Sequence, residues 1–220
     1  MIVSQPSPET VPVFPLPDLV LFPGVRLPLH VFELRYRTMV RDALAAGRRI
    51  AIATLEPGWE RDYQGSPAFH PVGCLARFDQ AEWLPNDSYD LVVTGTERVR
   101  FGRAVREFPY RACEFELLPV TPYEEDDPLV GMERHALLAE TRRLLELGER
   151  AWFAPPLTEG PVGFERLVNT IAYALRLETA VRLELLATDS AVERARRLGE
   201  WMRRVPEAQE PDASGESGQN

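Results

Sequence analysis

The chain has 220 residues and a formal net charge of −9 at pH 7, with 45% hydrophobic and 27% charged residues. This composition is typical of a globular protein, and the length allows one large domain or two small ones. No apolar run approaches the roughly 20 residues of a membrane span, and the first residues have neither the basic start nor the apolar core of a signal peptide. We therefore expect a cytoplasmic protein with no membrane partner.

The charge is unevenly distributed along the chain. Acidic residues in 122–128 and 205–220 carry most of the excess, so the remainder is close to neutral. All 25 basic residues are Arg, and there is no Lys. A Walker A phosphate loop and a Ser/Lys protease both require a Lys, and Arg cannot replace it as a base because it stays protonated. The sequence therefore excludes both of these chemistries.

Residues 11–46 are the segment around which the rest of the fold is expected to form. Two apolar strands, at 11–16 and 26–32, flank a turn-rich segment, and residues 1–10 are expected to be a flexible leader. The prolines here cannot donate to a strand ladder, which confines these strands to edges, bends or bulges. A helix follows, because apolar residues recur at helical spacing at Tyr36, Met39, Val40, Ala43 and Leu44.

Further strands are predicted before residue 122. They are separated by turn residues, including Gly95 and Thr96, and by a long loop from Glu56 to Pro71. Their predicted bounds are 49–55, 72–78, 89–94, 99–105 and 110–118. Together with the opening strands and the helix, they predict an α+β protein in which residues 11–121 form a partly closed antiparallel β-barrel of about six strands with one helix.

Residues 122–128 are predicted to be an acidic linker, and the segment after them has the period of helices. Asp127 is expected to cap the first of these helices, and a capping box that begins at Ser190 is expected to start the last one. The helices must bury their apolar stripes against each other or against the barrel. We therefore predict a carboxy-terminal α-helical bundle over 129–204, followed by a disordered acidic tail over 205–220.

Several sequence blocks resemble one protein family. The first is FPLPDLVLFPGVRLPLHVFELRYRTMV, which looks like the opening of the Lon-protease amino-terminal domain. The next two, PGWERDYQGSPAFHPVGCLARF and NDSYDLVVTGTERVRF, resemble later blocks of that domain in the same order, and 129–204 resembles its carboxy-terminal half. The resemblance covers about residues 10–204, in the free-standing form that lacks the ATPase and protease parts. It implies a PUA-like barrel and a non-catalytic module that binds protein substrates.

The sequence contains no pattern typical of a metal, cofactor or catalytic site. His30, His70 and His135 lie far apart, without a Cys or carboxylate at ligand spacing. There is no Gly-x-Ser-x-Gly element, paired-carboxylate pattern or phosphate loop. Cys74 and Cys113 lie in apolar strand-like runs, which favours two buried reduced thiols over a disulfide or a redox pair. We therefore expect no metal, no cofactor and no enzymatic activity.

Seven residues are candidates for peptide binding: Glu33, Arg35, Tyr36, Trp59, Asp62, Tyr63 and Arg98. Aromatic rings in a loop rich in glycine and proline have no periodic reason to lie in a core, so Trp59 and Tyr63 are either recognition anchors or packing residues. Glu33 either takes part in binding or favours the positive end of the helix, with Arg35 solvating the helix. Arg98 either contacts a peptide or pairs with Glu33 or Glu97 to lock the barrel.

A barrel interrupted by prolines is expected to leave an unpaired strand edge, to which an extended peptide can add by main-chain hydrogen bonds. The loop between residues 57 and 71 is expected to overhang this edge. Trp59 and Tyr63 would then anchor the peptide, while Arg35 or Arg98 orients its main chain.

Three functions remain open. The first is the binding of unfolded proteins or peptides in protein quality control, with a protease or chaperone as a further partner. The second is RNA binding, which PUA-like modules often have and which requires a basic face with aromatic residues. Acidic residues interleaved with the arginines of 97–116 make nucleic acid a poor partner. The third is a small-molecule enzyme, for which no catalytic residues are evident. We expect a monomer or a weak homodimer.

Overall fold

The protein is described by a computed structural model that covers residues 9–63, 65–146 and 162–204. Six strands lie in this part of the chain: β1 (Thr10–Leu16), β2 (Arg26–Val31), β3 (Arg49–Leu55), β4 (Phe69–Leu84), β5 (Ser88–Arg106) and β6 (Ala112–Leu117). The helices are α1 (Leu34–Ala45), α2 (Pro128–Glu146), α3 (Phe164–Ala174), α4 (Thr179–Ala187) and α5 (Ala191–Arg204), and a 3₁₀ turn spans Trp59–Asp62. The fold is therefore α+β, as predicted.

The strands form one mixed sheet in the order β2-β5-β4-β3-β1-β6. Because β6 also pairs with β5, five strands close into a ring, and β2 lies outside it as an edge strand on β5. β1 and β3 are parallel, while the other pairs are antiparallel. The prediction of a purely antiparallel barrel is therefore wrong at this pair. Parallel neighbours need a crossover connection, and β2 with α1 provides one between β1 and β3.

The two strands predicted at 89–94 and 99–105 are one continuous strand, β5. Its first part pairs with β2 and its last part with β6, so the neighbouring strand changes near Gly95. The loop between β1 and β2 crosses at this point, where Gly24 N–H donates to the Gly95 carbonyl and Gly95 N–H donates to the Val25 carbonyl, both at 2.9 Å. A side chain at Gly95 would clash with the Phe22 carbonyl. This glycine therefore permits a close approach of backbone, and it does not make the predicted turn.

The helices share one core with the sheet. The predicted stripe of α1 is buried at Tyr36, Met39, Val40 and Ala43. A single hydrophobic cluster joins sheet-side residues to residues of α3, α4 and α5, and its fully buried members include Phe22, Ile50, Phe164, Ile171, Leu186 and Leu198. The helical segment thus shares a hydrophobic core with the sheet, and a separate carboxy-terminal bundle stays a prediction. The boundary proposed at 122–128 stays a prediction.

The predicted caps define two helix starts. The Asp127 carboxylate accepts the N–H of Leu129 at 2.8 Å, and the Ser190 hydroxyl accepts the N–H of Glu193 at 3.2 Å. These contacts satisfy donors that a helix cannot pair internally. Most of the leader and all of the tail predicted over 205–220 lie outside the described residues. Within the described residues, no helix is long and apolar enough to span a membrane.

Candidate functional site

An open groove of about 580 Å³ lies beside the start of α1. Three segments that are distant in sequence form it: residues 32–36 at the junction of β2 and α1, Tyr63 and residues 65–67 of the loop before β4, and residues 107–111 between β5 and β6. Pro15 of β1 also contributes to the lining. We call this feature the groove. Its volume is within the range of about 300–1,000 Å³ that is typical of small-molecule sites.

Three large apolar side chains on the groove are exposed to solvent. Phe32 is 66% exposed, and Leu34 and Phe108 are each 71% exposed. Phe32 follows the last residue of β2, and Leu34 begins α1 outside its buried stripe, so neither position turns into the core. Large apolar side chains that are grouped on a surface commonly mark a site of interaction.

One wall of the groove is held by a cluster that joins α1 to the loop before β4. The Arg35 guanidinium donates from Nε to Glu33 Oε2 at 3.1 Å and from Nη2 to the Tyr63 carbonyl at 2.8 Å. The Tyr63 hydroxyl donates to Glu33 Oε1, and Arg35 lies over the Tyr63 ring at 5.0 Å. Burial, followed by the hydrogen bond to Glu33, raises the pKa of Tyr63. Three of the predicted residues are therefore brought together, with Arg35 fixing the loop.

Tyr36 lies among the groove-lining residues, with its ring 4.5 Å from Phe14 and 4.7 Å from the Arg35 guanidinium carbon. Burial raises the pKa of Tyr36 to about 12, because the protein interior disfavours a phenolate. The side chain therefore stays neutral throughout the physiological range of pH.

The opposite wall is held by a second polar cluster. The Arg111 guanidinium donates to Glu107 Oε2 at 3.2 Å and to the Ser66 hydroxyl at 2.6 Å, and Ser66 donates in turn to Glu107. Tyr110 donates to Asp42 Oδ2 at 2.9 Å, which ties the residues between β5 and β6 to α1. Both walls are thus fixed by hydrogen bonds between segments.

Trp59 and Asp62 support the loop and do not line the groove. The half-buried Trp59 ring meets the Tyr63 ring edge-on at 5.3 Å, and the Asp62 carboxylate accepts the Ser66 N–H at 3.2 Å. Each residue therefore contacts a neighbour that lines the groove, Tyr63 for Trp59 and Ser66 for Asp62.

Arg98 lies away from the groove, in the contact between the sheet and the helices. It is 3% exposed, and it donates to the carbonyls of Leu186 and Thr188, each at 2.9 Å. It also donates to the Pro119 carbonyl and lies 3.4 Å from Asp189 Oδ1. The expectation that it contacts a peptide, or pairs with Glu33 or Glu97, is therefore corrected. Arg98 does lock the fold, but through the Pro119 carbonyl and through Leu186, Thr188 and Asp189 about 90 residues further along the chain.

The geometry of the described residues disfavours a metal site, a redox-active thiol pair and an RNA-binding face. In the described ranges, no group of three His, Cys, Asp or Glu side chains is arranged to hold a metal ion. Cys74 and Cys113 are buried, and burial raises the pKa of both thiols. The arginines of 97–116 do not form the single basic face that RNA binding requires. Arg98 is buried, and Arg103 is paired with Glu114 at 2.6 Å.

The sequence patterns did not identify the apolar members of the groove, namely Phe32, Leu34 and Phe108. Two signals were available. Leu34 lies outside the apolar stripe of α1, and Phe108 is an apolar residue beside a proline in a connection between strands. Neither signal indicates that the two residues line one groove, because that depends on the pairing of β5 with β6.

A family model described as the ATP-dependent protease La (LON) substrate-binding domain matches residues 10–204. The Lon protease of Desulfovibrio desulfuricans is 29% identical over 205 residues, which cover 86% of this chain and 22% of that protein. The Lon protease of Chloroflexus aurantiacus is 30% identical over 209 residues, which cover 89% of this chain and 24% of that protein. The chain therefore spans less than a quarter of the length of these relatives.

Two solved structures have a similar fold. The crystal structure of a Lon N-terminal domain protein from Xanthomonas campestris is 26% identical, with a TM-score of 0.65 over 88% of this chain and 99% of the other. The N-terminal domain of a Mycobacterium avium complex Lon protease is 22% identical, with a TM-score of 0.63 over 90% of this chain and all of the other, and supports the fold alone. With the family model matching nearly the whole described chain, the protein belongs to the LON substrate-binding domain family.

Proposed function

We propose that this protein binds exposed apolar segments of unfolded proteins in the groove and catalyses no reaction on them. The observation that carries the proposal is the exposure of Phe32, Leu34 and Phe108, at 66%, 71% and 71%, around one open groove. A folded protein gains nothing in stability from leaving such side chains in water. A bound apolar segment would cover them and remove their surface from solvent.

The walls of the groove favour an apolar substrate over a charged one. Its two acidic residues each have a basic partner in the lining: Glu33 lies 3.1 Å from Arg35, and Glu107 lies 3.2 Å from Arg111. The lining therefore has no excess charge with which to attract an acidic or a basic segment. Selection by apolar side chains alone tolerates many sequences, which suits a protein that binds unfolded chains.

The predicted binding residues take different roles in this proposal. Tyr63 would contact the substrate directly, with Trp59 supporting its ring. Arg35 would shape the groove, because its guanidinium is already engaged by the Glu33 carboxylate and the Tyr63 carbonyl. Addition of a strand at the free edge of β2 is the weaker mode, because Pro28 in the middle of β2 has no N–H to donate.

The family relationship supports the same function. The matched family model is that of a substrate-binding domain, and the relatives named Lon protease extend well beyond the matched segment. We extend the proposal to the transfer of bound segments to a separate protease or chaperone. The RNA-binding alternative has no comparable support.

Binding of fluorescein-labelled β-casein, an unfolded protein, tests the proposal by fluorescence anisotropy. Leu34→Ala and Phe108→Ala should each weaken binding by about 1–2 kcal/mol, as expected for moderate hot spots. Leu117→Ala is the matched control, because Leu117 is also an exposed apolar residue, at 61%, but does not line the groove. Equal affinity of all three variants and the parent protein would reject the groove as the binding site.

A further inference from the structure

One polar side chain in the groove is left without a hydrogen-bond partner. Tyr36 is 6% exposed, and its hydroxyl bonds to no other residue in the described part of the chain. Among the described residues, the fully buried side-chain atoms that lack a hydrogen-bond partner are the Nε atoms of Arg37, Arg182 and Arg194. The Tyr36 oxygen is not one of them, so it keeps some contact with solvent, and this residue lines the open groove.

Tyr36 differs in this respect from the other polar side chains described in the lining. On one wall, the carboxylate, guanidinium and hydroxyl of Glu33, Arg35 and Tyr63 bond to one another or to the loop. On the other wall, the polar groups are engaged within the cluster of Ser66, Glu107 and Arg111, and the Tyr110 hydroxyl is bonded to Asp42. A substrate would have to break existing bonds to use these groups, whereas the Tyr36 hydroxyl is available.

The first turn of α1 adds further donors at the same location. Glu33 is the N-cap residue of this 12-residue helix, but its side chain makes no capping hydrogen bond. Its carboxylate is occupied by Tyr63 and Arg35 instead. The first N–H groups of a helix have no partner within the helix, and here they also lack a side-chain acceptor. They belong to Leu34 and Arg35, which line the groove with Tyr36.

We infer that the Tyr36 hydroxyl, with the first-turn N–H groups of α1, binds a main-chain carbonyl oxygen of the substrate and fixes its position along the groove. This inference rests on the proposed function. Every residue of a protein has a main-chain carbonyl, so such a contact tolerates any sequence. The balanced charges of the lining favour a neutral carbonyl over a terminal carboxylate. Tyr36 thus takes the orienting role that the sequence analysis gave to Arg35 or Arg98, both of which are engaged elsewhere.

Tyr36→Phe tests this inference, because it removes the hydroxyl and keeps the ring. The probe is a fluorescein-labelled 15-residue peptide of alternating apolar and polar residues, made with either an amide or a carboxylate at its C-terminus. Loss of one hydrogen bond should raise the Kd by about three- to tenfold. Tyr173→Phe is the control, because Tyr173 lies on α3 and does not line the groove. It should leave the Kd unchanged, and both variants should melt within about 2 °C of the parent protein.

The outcomes separate this inference from the function on which it rests. If Phe108→Ala weakens binding and Tyr36→Phe does not, the proposed function stands and the role of Tyr36 is rejected. If neither substitution affects binding, the groove is not the site and both proposals fail. If the peptide with the carboxylate binds more than tenfold more tightly than the amide, and Tyr36→Phe abolishes the difference, the ligand is a terminal carboxylate and the assignment of a main-chain carbonyl is wrong.

Discussion

Replacement of Arg98 by Met should destabilise the fold strongly and leave substrate binding intact. The guanidinium is buried between the sheet and the helices, where it donates to the carbonyls of Leu186, Thr188 and Pro119 and pairs with Asp189. Met has a similar length but no donor, so these carbonyls would lose their partner inside the protein. Breaking a buried charged contact costs about 3–5 kcal/mol. For a protein of this size, the loss corresponds to a fall in Tm of about 6–20 °C.

Thermal and urea denaturation, followed by circular dichroism, measure this effect. Arg100→Met is the matched control, because Arg100 lies two residues further along β5 and is exposed. It should change the free energy of unfolding by less than about 0.5 kcal/mol. Binding of unfolded β-casein at 20 °C should be the same for both variants. A cost below about 1 kcal/mol for Arg98→Met, or a loss of casein binding by the folded variant, would refute the structural role of Arg98.

Three further predictions concern the groove. The pKa of Tyr36 is raised to about 12 by burial, so the unfolded chain loses this proton first as the pH rises above about 10. The free energy of unfolding should therefore fall between pH 10 and 12, and Tyr36→Phe should make the fall less steep in urea titrations; equal slopes would contradict this. Trp59→Ala should weaken casein binding by about 1–2 kcal/mol through the Tyr63 ring, with little change in stability. A stability loss of about 3 kcal/mol or more would instead mark Trp59 as a core residue. Because the charges in the groove are paired, raising NaCl from about 50 to 500 mM should change the Kd for casein less than twofold, and a tenfold weakening would mean that electrostatic attraction drives binding.

Local patterns in the sequence predicted the elements whose causes are local. The stripe of α1 follows from the spacing of Tyr36, Met39, Val40 and Ala43, and the capping role of Asp127 follows from its side chain. Strand β3 was predicted with its observed bounds, because its apolar run is short, continuous and buried. These elements can be predicted without knowledge of the rest of the fold.

The errors come from contacts between distant parts of the chain. Gly95 resembles a turn residue in sequence, but it lies inside β5 because the Phe22 backbone crosses there. Arg98 resembles a surface residue of a strand, and its burial depends on Leu186 and Thr188 in the helical half. No local pattern encodes either contact.

The candidate site was predictable only in part for the same reason. Glu33, Arg35 and Tyr36 are neighbours in sequence at the junction of β2 and α1, and Tyr63 stood out as a ring in a loop rich in glycine and proline. The groove also needs the residues at 107–111, whose position beside α1 depends on the pairing of β5 with β6 and on the hydrogen bond from Tyr110 to Asp42.

Photocrosslinking from the groove tests the central claim most directly. Benzoylphenylalanine would be incorporated in place of Phe108, on the groove, or in place of Leu117, which is similarly exposed but outside it. Irradiation with labelled, unfolded β-casein should give a crosslinked product from position 108 and little from position 117, and unlabelled casein should suppress it. Equal crosslinking from the two positions, or crosslinking from 117 alone, would contradict binding of unfolded segments in the groove.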